Sequence, residues 1–398
     1  MNEKNNLDLQ SLKTIRIQSN KLLTQARHGL SRYFFIKEER MPALADYVIE
    51  VIGSQYPNHE IPYHSRWRHF EAGGINRIKE LNLPVDSEES GKILYELVII
   101  SVLLDAGAGN QWRFKESRTS QTYSRSEGLA LASLELYLSG VFSAIPKQPL
   151  RVDTRPLIAF SETELKKAFQ VSEYNPLEGV DGRVALMNRL GKVVQEEINF
   201  REDKRLGNFY SYIIGLQRND EIALSSIFKA VEHAFRRVWP QRKQHKGLSL
   251  GDVWSHPSLE PELIPFHKLS QWLTYSLIEP LENANIKVTD LDELTALPEY
   301  RNGGLLIDMG LLELKNPQHL TELHSPDSEL IVEWRALTVA LLDELADAIR
   351  QKLKKNAATL PLAKILQGGT WEAGRRIAKE KRSDGRPPIQ ILSDGTVF

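Results

Sequence analysis

The chain holds 398 residues, and at roughly 100–200 residues per domain that length allows two or three domains or one large core with insertions. Fifty-one Lys and Arg against 52 Asp and Glu leave a net charge of −1, which excludes the general positive field that sequence-independent binding of nucleic acid or an anionic membrane requires. Cysteine is absent, which excludes disulfides, thiolate nucleophiles, Cys-ligated zinc and iron–sulfur clusters and leaves oxygen, nitrogen or cofactor chemistry.

In chain order, Met1-Asn2-Glu3-Lys4 carries no signal-peptide apolar stretch, and no run approaches the roughly 20 apolar residues of a membrane span, so a soluble, cytoplasmic protein is expected. Residues 1–90 read as an N-terminal helical region. Ile93, Leu94, Leu97, Val98, Ser101 and Leu104 recur at spacings of three and four, predicting a buried helix that stops at the glycines of Asp105-Ala106-Gly107-Ala108-Gly109. The same periodicity returns over 129–138, 184–198, 209–216, 222–238, 265–278 and 330–353. Strand candidates are few, at 150–152, 305–307 and 389–392, and loops are expected near 56–62, 146–156, 175–182, 240–265 and 381–388. The expected fold is mainly α, a single large helical unit over 1–398 with a few short strands, in which 91–398 carries the site.

Three motif matches fail on context. Gly247-Leu248-Ser249-Leu250-Gly251 fits G-x-S-x-G, but Arg242-Lys243-Gln244-His245-Lys246 stands where a nucleophile elbow needs a buried strand. His59-Glu60-Ile61-Pro62-Tyr63-His64 has its histidines five apart with a proline between them, which a zincin helix does not allow. Gly107-Ala108-Gly109 lacks the third glycine and the preceding strand of a dinucleotide fingerprint. The basic stretch Arg236-Arg237-Val238-Trp239-Pro240-Gln241-Arg242-Lys243 reads as a solvated helix end, since one aromatic is a poor stacking platform. No metal-spaced His cluster stands out, and neither a metal nor a cofactor is expected.

Four polar clusters look out of place for packing alone. Asp105 closes an apolar helix and is followed by Trp112-Arg113 and by Arg125 and Glu127. Phe266-His267-Lys268-Leu269-Ser270-Gln271-Trp272 lies in an amphipathic helix that sets Lys268, Gln271, Trp272 and Tyr275 near one face. Leu297-Pro298-Glu299-Tyr300-Arg301-Asn302-Gly303-Gly304 forms a polar turn, and Glu333-Trp334-Arg335 interrupts an apolar helix. Carboxylates near a lysine and aromatic faces suit chemistry on a glycosidic bond, where an oxocarbenium-like transition state wants an anion and the incoming water wants a base. The alternative is buried ion pairs of the kind large helical proteins contain.

These segments, with the terminal Ser393-Asp394-Gly395-Thr396-Val397-Phe398, resemble the uracil-catabolism protein family of fungi and bacteria over nearly the whole chain. The resemblance implies a place in a pathway that breaks uracil down to urea through ribosylated intermediates. A more distant resemblance is to the queuosine-salvage nucleosidases, helical proteins with a DNA-glycosylase-like fold. It rests on Leu104-Asp105-Ala106, on Lys268 through Gln271, on Leu294-Thr295-Ala296-Leu297-Pro298-Glu299-Tyr300-Arg301 and on Glu333-Trp334-Arg335. Glu299 stands where those nucleosidases carry Asp, which keeps the charge and adds one methylene.

The expectation is therefore an N-glycoside hydrolase that takes a ribosylated urea or a ring-opened uracil nucleoside or nucleotide and releases urea or a ureido acid. Glu299 and Lys268 are the expected catalytic residues. Asp105, Trp112, Arg113, Arg125, His267, Gln271, Trp272, Tyr300, Arg301, Glu333, Trp334 and Arg335 are the expected substrate-binding residues, the arginines as phosphate clamps and the tryptophans as walls. The expected partner is a small nucleoside- or nucleotide-derived substrate, without nucleic acid or membrane, and association with other uracil-degradation enzymes is in keeping with the resemblance. A non-catalytic binding or scaffold protein of the same pathway and an amidohydrolase acting on the ureido bond are the rivals.

Overall fold

The computed structural model describes residues 7–58, 60–200, 203–239, 244–245 and 248–392. His59, Arg242-Lys243, Gly247 and the terminal segment 393–398 lie outside the described residues. The architecture is mainly α, with strands of two or three residues joined in two-stranded pairs. No described helix is long and apolar enough to cross a membrane. The described residues pack as two compact units, one drawn from 7–64, 252–271 and 290–392 and the other from 65–251 and 272–289. Residues 1–90 thus contribute to both.

The first unit is organised by the helix Glu329–Leu353, buried on every side from Leu330 through Leu342. A helix buried on every side has to be central, and the apolar residues that flank Glu333 and Arg335 fit that place. Leu12–Arg27 lies along it. Arg16 fastens the two, donating to Asp343 Oδ2 at 2.8 Å and to the carbonyls of Glu293 (2.6 Å), Asp292 and Leu294 (both 2.9 Å). Tyr300–Asp308 packs on Trp371–Lys381 with so little clearance that a Cβ at Gly374 would stand 2.4 Å from the Arg301 carbonyl oxygen. Phe34–Ile36 pairs antiparallel with Leu312–Leu314, with Phe34 opposite Leu314, and Val253–Ser255 pairs antiparallel with Leu263–Pro265.

The second unit is built around Ser87–Leu103, which Asp86 caps by accepting from the Glu88 N–H at 2.9 Å. Its buried Glu96 accepts from Arg205 at 2.8 and 3.0 Å and from the Gly207 N–H at 2.9 Å. Arg125–Leu138, Val180–Glu196 and Asn208–Ile214 pack against this helix. Glu221–Ala223 and Lys287–Thr289 add a parallel strand pair.

The helices expected at 93–104, 129–138, 184–198, 209–216, 222–238, 265–278 and 330–353 are present as Ser87–Leu103, Arg125–Leu138, Val180–Glu196, Asn208–Ile214, Leu224–Phe235, Lys268–Asn283 and Glu329–Leu353. Two strand expectations are corrected. Residues 305–307 are helical, inside Tyr300–Asp308, because Glu299 caps that helix and Leu305 and Leu306 are buried on its core side. Residues 150–152 form no strand; Val152 instead accepts a single bond from the Leu206 N–H at 3.0 Å. The strand expected at 389–392 appears as Gln390–Ile391, parallel to Leu323–His324.

The discarded motifs also have structural explanations. Ser249 is followed by the strand Val253–Ser255 rather than by the helix of a nucleophile elbow. The Gly107-Ala108-Gly109 loop follows a helix, and the buried Arg183 gathers its carbonyls, donating to Leu104 (3.1 Å), Ala106 (2.6 Å) and Gly107 (3.1 Å). A loop whose carbonyl oxygens converge on a guanidinium offers no N–H cradle to a phosphate. Burial pulls the Arg183 guanidinium down to about 10, so it remains a cation at neutral pH.

Candidate active site

In the first unit the centre of the candidate site is Glu299. Its backbone is extended, and it is the N-cap of Tyr300–Asp308. One carboxylate oxygen accepts from the Arg301 N–H at 2.8 Å, and the other accepts from the Asn302 N–H at 2.7 Å. Both oxygens are thereby held in one orientation at the positive end of a helix. Burial pushes the carboxyl above the ordinary carboxylate range; the two N–H bonds and the positive charges of Arg301 and Lys268 act against that rise. The result is a rigid carboxylate that is a stronger base than one in water, within the electrostatic reach of a lysine.

Lys268 is the first residue of Lys268–Asn283, and its position depends on a residue the sequence reading did not single out. Asp252 accepts from the Lys268 N–H at 3.0 Å, so it caps that helix from outside the helix's own first turn. The same carboxylate takes a bidentate pair from Arg335 at 2.8 and 2.7 Å and a bond from Trp254 Nε1 at 2.5 Å. The Asp252 carbonyl accepts from the Phe266 N–H at 2.9 Å. Arg335 and the other donors hold the Asp252 carboxyl well below its usual range, against the opposing effect of burial. Arg335 also lies over the Phe266 ring, 4.2 Å from its centroid. It is therefore engaged in a structural ion pair, the alternative left open above. The signal that could have found Asp252 is Arg335 itself: an arginine inside an apolar helix demands a buried anion.

The other residues expected in this unit have defined places. Gln271 is fully buried; its amide nitrogen donates to the Phe266 carbonyl and Thr295 Oγ1, both at 2.9 Å, and its oxygen accepts from the Thr295 N–H at 2.8 Å. It ties the lysine helix to the segment that leads into Glu299. His267 is buried with a left-handed backbone (φ 46°), its Nε2 2.7 Å from the Leu9 carbonyl oxygen. Arg301 is buried with its guanidinium 4.2 Å from the Trp371 ring centroid, and the Tyr300 hydroxyl lies 3.4 Å from its Nε. Trp371, like Asp252, was not singled out from the sequence. Glu333 is bound by the Ser31 hydroxyl and stands 3.4 Å from His256 Nε2. Trp334 is buried and donates its indole N–H to the Gly303 carbonyl at 3.1 Å.

The second unit gathers a polar cluster around Arg66. This fully buried arginine donates to Ser101 Oγ at 2.7 Å, meets Asp105 Oδ2 at 2.9 Å and lies 3.2 Å from His69 Nδ1. Burial lowers its pKa, and the charges of Asp105 and Glu127 oppose the change. Trp272 is buried with its ring 5.9 Å from that of His69. Arg125 opens its helix with a left-handed backbone (φ 53°). Trp112 is fully enclosed, donating to the Phe169 carbonyl at 2.9 Å and packing beside the Phe114 ring, which makes it a core residue. Arg113 is exposed and donates to the carbonyls of Asn110 and Trp112, both at 2.8 Å.

Comparison with known proteins places these residues in a family. "Protein urg3" of Schizosaccharomyces pombe is 38% identical over 403 residues, covering 98% of this chain and 98% of that protein. "Uracil catabolism protein 4" of Lachancea kluyveri is 34% identical over 411 residues, covering 93% of each. The family model described as "Protein of unknown function (DUF1688)" matches residues 8–398. The chain belongs to the DUF1688 family.

Proposed function

We propose that this chain acts in uracil catabolism as an N-glycoside hydrolase that cleaves a ribosylated urea, or a ring-opened uracil nucleoside or nucleotide, and releases urea or a ureido acid. The place in uracil catabolism is supported by the name of the Lachancea kluyveri relative. The reaction is supported by one observation above the others: the Glu299 carboxylate is clamped by two backbone N–H groups, its pKa is raised by burial, and it feels the charge of Lys268.

In the proposed reaction the bond between the sugar carbon and nitrogen breaks, and its electron pair leaves with the nitrogen, which takes a proton from solvent water, while the proton later held by Glu299 returns to solvent. The ionised Glu299 faces the oxocarbenium character that develops and takes a proton from the water that attacks the sugar carbon. Lys268 favours the ionised form of Glu299, while Asp252 and Gln271 fix the start of the helix that carries the lysine. The test is urea release from ribosylurea and from its 5′-phosphate by the purified protein. Release from either supports the reading. Binding of both without release assigns the chain to the binding-protein alternative, and cleavage only within the ureido group assigns it to the amidohydrolase one.

A further inference from the structure

We propose that His319, Glu322 and His324 form a zinc-binding site in the first unit, separate from the Glu299 cluster. One ligating atom from each of the three lies within 4.8 Å of the other two. Glu322 Oε2 is the hub, 2.8 Å from His319 Nδ1 and 4.0 Å from His324 Nε2. Zinc bonds of about 2.0–2.2 Å in tetrahedral arrangement place neighbouring donors roughly 3.3 Å apart, so side-chain shifts below about 1 Å convert this set into a coordination sphere. Two imidazoles and a carboxylate suit zinc in donor chemistry as well as in spacing.

The backbone that presents the three groups is held in place. His319 sits in the 3₁₀ turn Pro317–Leu320, which starts at a proline and is capped by Asn316 accepting from the Gln318 N–H at 3.1 Å. The Thr321 N–H and hydroxyl both return to the Gln318 carbonyl, at 2.9 and 2.8 Å. His324 belongs to the strand Leu323–His324, paired in parallel with Gln390–Ile391, and its carbonyl accepts from the Leu392 N–H at 2.9 Å. His324 Nε2 lies 2.8 Å from the His319 carbonyl oxygen, a hydrogen bond that a zinc bond at Nε2 replaces, and the His319 ring rests edge-on against those of Tyr33 and His324, each at 5.6 Å. The three side chains are 23%, 51% and 10% exposed in chain order, so water can reach the fourth position. The pattern His-x-x-Glu-x-His runs through a turn into a strand, which hides it from a search for ligands one helical turn apart.

Zinc here takes the place of the hydrogen bonds that His319 Nδ1 makes with Glu322 and His324 Nε2 makes with the His319 carbonyl, and fastens the 3₁₀ turn to the strand. The test uses untagged full-length protein stripped with a chelator, titrated with zinc chloride by calorimetry and assayed for retained metal after desalting. One zinc per chain is expected, with a raised thermal midpoint. The His319→Ala/His324→Ala double variant is expected to bind about 100-fold more weakly or not at all, and Glu322→Gln about 10-fold more weakly. Absence of retained zinc in the wild-type protein overturns the proposal, as does undiminished binding in a folded double variant. If the double variant fails to fold, unchanged affinity in Glu322→Gln overturns it.

Discussion

One Asp252 carboxylate serves a guanidinium, an indole and a helix N-terminus at once. Removing it leaves Arg335 buried without its anion, so Asp252→Ala should cost about 3–5 kcal/mol in a urea unfolding titration. The pH dependence has a definite sign. The folded pKa of Asp252 is depressed, so its contribution is complete above the unfolded value of about 3.9 and fades as the pH falls below that. Asp252→Asn should therefore show a flatter acid limb than the wild-type protein. This residue was hidden in the sequence: it stands in an expected loop, without periodicity, and its partner Arg335 is far along the chain. Glu299 was legible through its motif, but its capping bonds were not, since Glu is an unusual N-cap and Leu305-Leu306-Ile307 beyond it reads equally well as a strand.

At the scale of elements, the helices were legible because a 3.6-residue repeat of apolar side chains survives in any single segment. Their close contacts were not, because each depends on two distant segments at once. Gly374 is the clearest case: its helix touches the backbone of Arg301, and a Cβ there has no side chain that could yield. Gly374→Ala should destabilise the protein by about 1–3 kcal/mol through forced separation of Tyr300–Asp308 from Trp371–Lys381, readable as a lowered thermal midpoint. A second test concerns the π-helical turn Leu366–Thr370 before that helix, where Gln367 Oε1 lies 3.0 Å from His64 Nδ1. Burial lowers the His64 pKa to about 4. The unfolded chain takes up this proton below about 6.5 and the folded one only near 4, so stability falls as the pH drops through that window, by about 3 kcal/mol from this group. His64→Gln, which cannot be protonated, should lose less stability between pH 6.5 and 4 in parallel urea titrations.

For the whole molecule, composition narrows the chemistry: without thiols, only oxygen, nitrogen or cofactor groups are available, and the proposed reaction uses a carboxylate and a lysine from among them. The mainly α architecture agrees with the helical periodicity, and the relatives in Schizosaccharomyces pombe and Lachancea kluyveri extend over nearly the full chain, so whatever they do is a property of a protein of this length. Several expected binding residues, notably Trp112, Gln271 and Arg335, have structural duties that a motif cannot reveal, because a motif shows which residues occur together and not which atoms are already bonded. The reading of the molecule as an N-glycoside hydrolase rests on Glu299. The most direct test is single-turnover cleavage of ribosylurea and its 5′-phosphate by wild-type protein and by Glu299→Gln, with ligand binding measured alongside. The account predicts urea release by the wild-type protein and a loss of about 10²–10⁴-fold in the variant with binding retained; full activity in Glu299→Gln, or no release by well-folded wild-type protein, would contradict it.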